Sequence, residues 1–210
     1  MGGMISLITQ NPLLGLILVF FLAISIGFHE AAHAYSAYWL GDPTPKLQKR
    51  LSLNPLVHLD PIGSLMILFI GFGWGKAVEF NPHNLKSPRK DAALIALAGP
   101  ATNILIAIIC SIIALVVNLS GLLSSEISLL ITVLMQTLAS LNVMLAIFNL
   151  IPIEPLDGFK VVAGILPSHL AYKWYETRQY GLYLLLFLLL TGAIGGFITP
   201  IIDFITSFLF

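Results

Sequence analysis

The sequence predicts an all-α polytopic membrane protein. The expected form is a bundle of about four to six transmembrane helices with a short re-entrant or β-like segment near residues 61–82. Three observations carry this. Of 210 residues, 58% are hydrophobic and only 10% are charged, against about a quarter charged in a soluble domain; the mean hydropathy is +0.95. Four apolar segments reach the roughly 20 residues that a spanning helix needs: 11–40, 92–119, 127–151 and 181–210. All ten Lys and Arg fall in three stretches, 46–50, 76–90 and 160–178.

The first segment opens with NPLLGLILVFFLAISIG, which carries no charge, and runs without a helix breaker into FHEAAHAYSAYWLGD. No Lys or Arg precedes it, so it lacks the basic start of a cleaved signal peptide and reads as a retained span. MGGMIS fits a loose N-terminal acylation pattern. That match is short and degenerate, and one acyl chain adds little to a chain that already spans the bilayer. The next apolar run, PIGSLMILFIGFGWG (61–75), is too short for a comfortable span and reads as re-entrant or interfacial. KAVEFNP (76–82) partly alternates as a strand does.

Residues 92–119 and 127–151 form two further spans, joined by NLSGLLSSE (118–126), which has no basic residue. FKVVAGILPSHLAYKWYETRQY (159–180) mixes apolar and polar residues and predicts a surface-lying or partly inserted helix broken at Pro167. The last segment is interrupted by GAIGG (192–196) and Pro200, so it reads as one kinked span or two shorter pieces. The whole is expected to be one transmembrane domain, 1–210, with a catalytic core of about 12–160 and a C-terminal helical part from 161. The single cysteine, Cys110, lies in an apolar run and reads as a small buried hydrophobe.

If the short run dips in and returns, every basic stretch falls on one face. By the positive-inside rule that face is cytoplasmic and the N-terminus lies outside. A formal net charge of zero offers no basic face to nucleic acid. The expected partners are the lipid bilayer and a transmembrane substrate, and nothing in the sequence speaks to oligomeric state.

Ionisable groups at membrane depth are expensive and mark functional sites. His29 and His33 are four apart, so they share one helix face a turn apart. Two imidazoles so placed can hold one metal ion, while Glu30 on the neighbouring face reaches a metal-activated water. This is the H-E-x-x-H zinc pattern. At ~1.5 Å per residue, His33 lies roughly 12 Å from Gly41, the expected cytoplasmic end. A catalytic zinc takes three protein ligands and leaves one position open. The third is sought in FNLIPIEPLDGFK (148–160), where Pro152 and Pro155 break the helix. Asp157 and Glu154 both qualify there, and spacing does not choose between them.

FHEAAHA, NPLVHLDPIGSL (54–65), GWGKAVEFNPHNL (73–85), ALAGPATN (96–103) and NLIPIEPLDG (149–158) together resemble the site-2 protease family of intramembrane zinc metalloproteases. The resemblance is to the compact prokaryotic type without PDZ or CBS domains. It implies His29, His33 and Asp157 as zinc ligands and Glu30 as general base. It implies Asn103, with Asn149 as a second candidate, as contacts to an extended substrate; an Asn at position 149 can equally serve to satisfy carbonyls where its helix unwinds. His58 and Asp60 match a family loop without an implied chemical role, and a hydrogen bond between them would pin that loop. The implied function is a zinc endopeptidase of regulated intramembrane proteolysis in a prokaryotic cell membrane.

Two other function classes fit the sequence less well. An intramembrane metal or proton transporter needs ionisable residues through the membrane thickness, and these sit near one face. A catalytically idle scaffold has no use for the full set of His29, Glu30, His33 and Asp157.

Overall fold

The computed structural model describes residues 9–70 and 73–210. The MGGMIS pattern and the Gly71–Phe72 part of GFGWG lie outside the described residues. The chain is an all-α polytopic membrane protein. Among the described residues, three helices are long and apolar enough to cross a membrane, and a fourth span arises if one bent helix pair counts as a single crossing. The chain packs as two compact units, Met1–Lys86 and Ser87–Phe210.

In the first unit, α1 (Pro12–Trp39) starts where Asn11 accepts a hydrogen bond from the Leu14 N–H and Pro12 supplies a preset first turn. Its 28 residues span about 42 Å, more than the ~30 Å hydrocarbon layer. One stripe is buried: Leu18, Leu22, Ser25, Ile26, His29, His33 and Ala37 recur at helical spacing. Leu13, Leu16 and Phe20 remain exposed on the other side, as lipid-facing residues do.

The chain leaves α1 at Gly41, whose φ of 109° suits glycine, and reaches Asp42. This carboxylate is fully buried. It accepts from the Thr44 N–H and hydroxyl, the Asn81 N–H and the Asn84 amide. Burial pushes its pKa up, but these hydrogen bonds outweigh burial and hold it below the ordinary value. Asp42 thus clasps both ends of the excursion between α1 and residue 84. Within that excursion lie α2 (Thr44–Leu47), a 3-10 turn at Pro55–Val57, and α3 (Pro61–Ile70).

At ten residues, α3 is about 15 Å long, half the hydrocarbon thickness. Asp60 caps it, accepting from the Gly63 N–H at 2.7 Å. No strand forms at 76–82. The pairing there is a single antiparallel bridge, Leu59 with Gly75, plus the Lys76 N–H to the His58 carbonyl at 2.7 Å. Alternation alone makes no sheet, and residues beyond Gly75 run on without a ladder partner among the described residues.

In the second unit, α4 (Pro88–Ser120) and α5 (Ser125–Asn149) form a helical hairpin turned at Gly121, φ 60°. Asn118 closes it, accepting from Thr132 Oγ1 at 3.0 Å and Ser128 Oγ at 3.3 Å. The buried stripe of α4 is mostly small: Ala92, Ala96, Gly99, Asn103, Ala107, Cys110, Ala114. Small side chains let helices approach closely where lipid gives no hydrophobic drive. Cys110 is indeed buried.

Helix α6 (Asp157–Ile165) packs along α4. A Cβ at Gly164 would run into the Ala93 side chain. The predicted break at Pro167 holds: α7 (Ser168–Glu176) starts there, and Trp174 stacks on Phe159 and donates to its carbonyl at 2.9 Å. The last apolar segment is two helices, α8 (Arg178–Leu190) and α9 (Ala193–Thr206), bent by 79° at Gly192. Leu156, Leu185, Ile194 and Ile198 form the core that holds them.

One close contact tests the packing of the first unit. A Cβ at Gly27 would lie 2.5 Å from Pro55 Cβ and 2.7 Å from Pro55 Cα. Gly27→Ala is therefore expected to lower stability by about 1–3 kcal/mol through overpacking, with helix content unchanged. Thermal unfolding followed by circular dichroism in detergent checks this, and a midpoint equal to wild type refutes the contact.

Candidate metal centre

The H-E-x-x-H turn lies in the second half of α1, where the buried stripe is densest. His29, Glu30 and His33 are all buried, at 7%, 9% and 7% exposure. The two imidazoles meet edge to face with centroids 4.7 Å apart. A ring nitrogen of one lies within 4.8 Å of one on the other. Ligands about 2.1 Å from a shared tetrahedral zinc stand about 3.4 Å apart, which falls inside that bound. Ala31, Ala34 and Ala37 around them are almost fully buried.

Glu30 is gripped from one side. Its Oε2 accepts from the Val78 N–H at 3.1 Å. A Cβ at Gly75 would stand 2.8 Å from Ile26 Cγ2, 3.0 Å from Glu30 Cγ and 3.1 Å from Oε1, so any larger residue would have to push Ile26 and Glu30 aside. The extended segment after α3 is thus laid against the acidic side chain of the motif.

Behind that segment sits Arg50. It belongs to the basic stretch 46–50, yet it is buried at 5% exposure. Its Nη2 donates to the Lys76 carbonyl and, at 3.1 Å, to His58 Nδ1; its Nη1 reaches the Ala77 carbonyl at 3.5 Å. A guanidinium only donates. His58 Nδ1 must therefore accept, and the ring proton sits on Nε2, which donates to the Ser52 carbonyl at 2.8 Å. His58 and Asp60 do not bond to each other in the hydrogen bonds they make here. Each pins the loop through its own partners, because Asp60 is drawn to the N-terminus of α3.

In the second unit, Asp157 begins α6 and is buried. Its rival Glu154 pairs with Arg178 at 3.1 Å. Gly158 is required beside Asp157, since a Cβ there would strike the Leu150 and Ile151 carbonyls. Asn103 is fully buried on α4, and its amide donates to Asn142 Oδ1 of α5 at 3.0 Å. Asn142 in turn donates to the Leu138 carbonyl. Sequence reasoning missed Asn142, although an amide within the apolar run 127–151 was a visible signal. Asn149 instead turns back on its own helix, donating to the Leu145 carbonyl at 2.9 Å. That is the carbonyl-satisfying use foreseen for it as an alternative.

Comparison with known proteins supplies the context. The family model for peptidase family M50 matches residues 116–193. The chain is 36% identical over 182 residues to a Bacillus subtilis protein named "Putative zinc metalloprotease YwhC", covering 86% of this chain and 83% of that one. The chain belongs to peptidase family M50, the site-2 protease family. A Mycolicibacterium smegmatis protein named "Putative zinc metalloprotease Rip2" is 28% identical over 207 residues, 92% of this chain and 77% of that one. No solved structure matches. The M50 model match contains Asp157 but not His29 to His33, whereas both aligned relatives cover most of the chain.

His58 gives the loop a pH dependence. Burial lowers its pKa and the Arg50 charge lowers it further, against the Ser52 hydrogen bond and Glu30. A folded pKa below the unfolded value of about 6.5 means that the neutral ring stabilises fully above that value. The contribution is lost as pH falls below it. Amide exchange over residues 50–60, corrected for intrinsic rate, is expected to speed up between about pH 7 and about pH 5. His58→Gln offers the same acceptor and donor without titrating and is expected to flatten the response. An equally steep response in that variant refutes the assignment.

Proposed function

We propose that this zinc metalloprotease hydrolyses peptide bonds within or next to the transmembrane segments of other membrane proteins. The observation that carries the reading is the position of the motif. His29, Glu30 and His33 lie buried on a helix of 28 residues with a mean hydropathy of 2.2 over its most apolar stretch, so the chemistry belongs at membrane depth. The three basic stretches support an orientation with this end of α1 toward the cytoplasm and the N-terminus outside, in a prokaryotic cell membrane.

His29, His33 and Asp157 would hold the zinc. Two neutral imidazoles and one carboxylate suit a catalytic site that keeps a fourth position open. Zinc held there supplies Lewis acidity and brings the pKa of a coordinated water to about 7. Glu30 takes the proton from the attacking water and returns it to the leaving amine. With Oε2 engaged by the Val78 N–H, its other oxygen is the one presented for proton transfer.

A helical substrate hides its amides and must unwind before attack. The extended segment after Gly75 is where an unwound segment would pair by strand addition, on the main-chain groups other than the Lys76, Ala77 and Val78 groups already bonded to His58, Arg50 and Glu30. Asn103, buried and oriented by Asn142, is the better candidate to hold that segment; Asn149 has its amide committed to Leu145.

Purified protein in detergent tests these roles. Wild type is expected to carry about one zinc per chain and to cut labelled transmembrane peptides. Glu30→Gln should keep the metal and lose cleavage by roughly 10²–10⁴-fold, the usual share of a general base. Asp157→Ala should lose metal by elemental analysis. A Glu30→Gln protein that cuts at the wild-type rate sinks the assignment.

A further inference from the structure

We propose that Arg50 is a positioning residue for peptide hydrolysis, fixing the Lys76–Val78 backbone so that the Val78 N–H aims the Glu30 carboxylate. This rests on Glu30 acting as the base.

The chain of contacts is short. Arg50 holds the carbonyls of Lys76 and Ala77. The next residue, Val78, gives its N–H to Glu30 Oε2 at 3.1 Å. The guanidinium is itself oriented by His58 Nδ1 at 3.1 Å, and His58 is fully buried and anchored to the Ser52 carbonyl. Arg50 aims its terminal nitrogens this way while its buried Nε–H finds no acceptor among the described residues. Its geometry thus follows the 76–77 carbonyls and the imidazole rather than maximising its own hydrogen bonds.

Among the described residues, the next side-chain holds on this segment come at Glu79, from Gln48, and at Asn81, from Asp42. Bridge pairing ends at Gly75 and Lys76. The two carbonyls held by Arg50 are therefore the continuation of a one-rung sheet, with a guanidinium fork in place of a neighbouring strand. A planar fork can span two carbonyls and an imidazole; a lysine ammonium is a compact charge and cannot match that spread.

The test uses the full-length protein in detergent with its zinc bound. Wild type, Glu30→Gln, Arg50→Lys and Arg50→Met are compared in kcat and KM on one labelled transmembrane peptide. Zinc per chain and amide exchange across residues 76–80 are measured alongside. Both Arg50 variants are expected to keep zinc and KM. Their kcat should fall by roughly 10- to 100-fold, as expected for a misplaced catalytic group, and exchange at Val78 should accelerate. Where Arg50→Met does not fold, Arg50→Lys decides alone. Full activity in Arg50→Lys, unchanged exchange at Val78, or a loss confined to KM or to zinc content overturns the proposal. If Glu30→Gln is inactive while the Arg50 variants cut normally, this inference alone fails. If Glu30→Gln is itself active, the reading of the base fails first.

Discussion

The first unit is organised around the expense of keeping His29, Glu30 and His33 on a helix otherwise made for lipid. A lone ionised group at the bilayer centre costs several kcal/mol or more. The chain meets that expense by bringing its own backbone to the motif. Pro55 lies against Gly27, the Gly75 backbone lies against Glu30, and Val78 offers its N–H. Each of these approaches needs a glycine or an exposed amide at one position. The excursion between α1 and residue 84 is therefore part of the site's solvent, substituting fixed dipoles for water. Its polar members, Asp42, Arg50 and His58, are buried for the same reason and are each hydrogen-bonded.

The second unit solves a different problem. Its long helices have no hydrophobic reason to associate in lipid, so they use small residues and side-chain amides. The α4 stripe from Ala92 to Ala114 sets the close approach, and the Asn103–Asn142 pair and the Asn118 clasp fix register. Asp157 then enters at the start of a nine-residue helix, α6, packed along α4. The carboxylate's place is set by Gly158, beside which the preceding carbonyls crowd.

What was legible in the sequence was local. The spans follow from apolar length, the motif from a four-residue spacing, and the break at Pro167 from a residue that disfavours a continuing helix; of the interruption read at 192–196 and Pro200, only Gly192 breaks the chain, and α9 runs through Gly195, Gly196 and Pro200. What was hidden was pairing across distance. Nothing near Arg50 in sequence announces that Lys76 and Ala77 will come to it. Asn142 stands out in an apolar run, yet its partner lies 39 residues away. The alternation at 76–82 was partial, and a strand is a statement about a neighbour; here the backbone pairing is the Leu59–Gly75 bridge and the Lys76 N–H to the His58 carbonyl. His58 and Asp60 looked like a pair because they are close in sequence; the N-terminus of α3 took Asp60 instead.

The Asp42 clasp makes the intervening chain a ring closed at its base. Thr44 is bound at one end and Asn81 and Asn84 at the other. Closing a flexible loop grows more expensive only logarithmically, by about 0.6 kcal/mol for each doubling of length. The length of chain inside the ring therefore weighs less than the points at which it is pinned: Pro55 against Gly27 of α1, and His58 between the Ser52 carbonyl and Arg50.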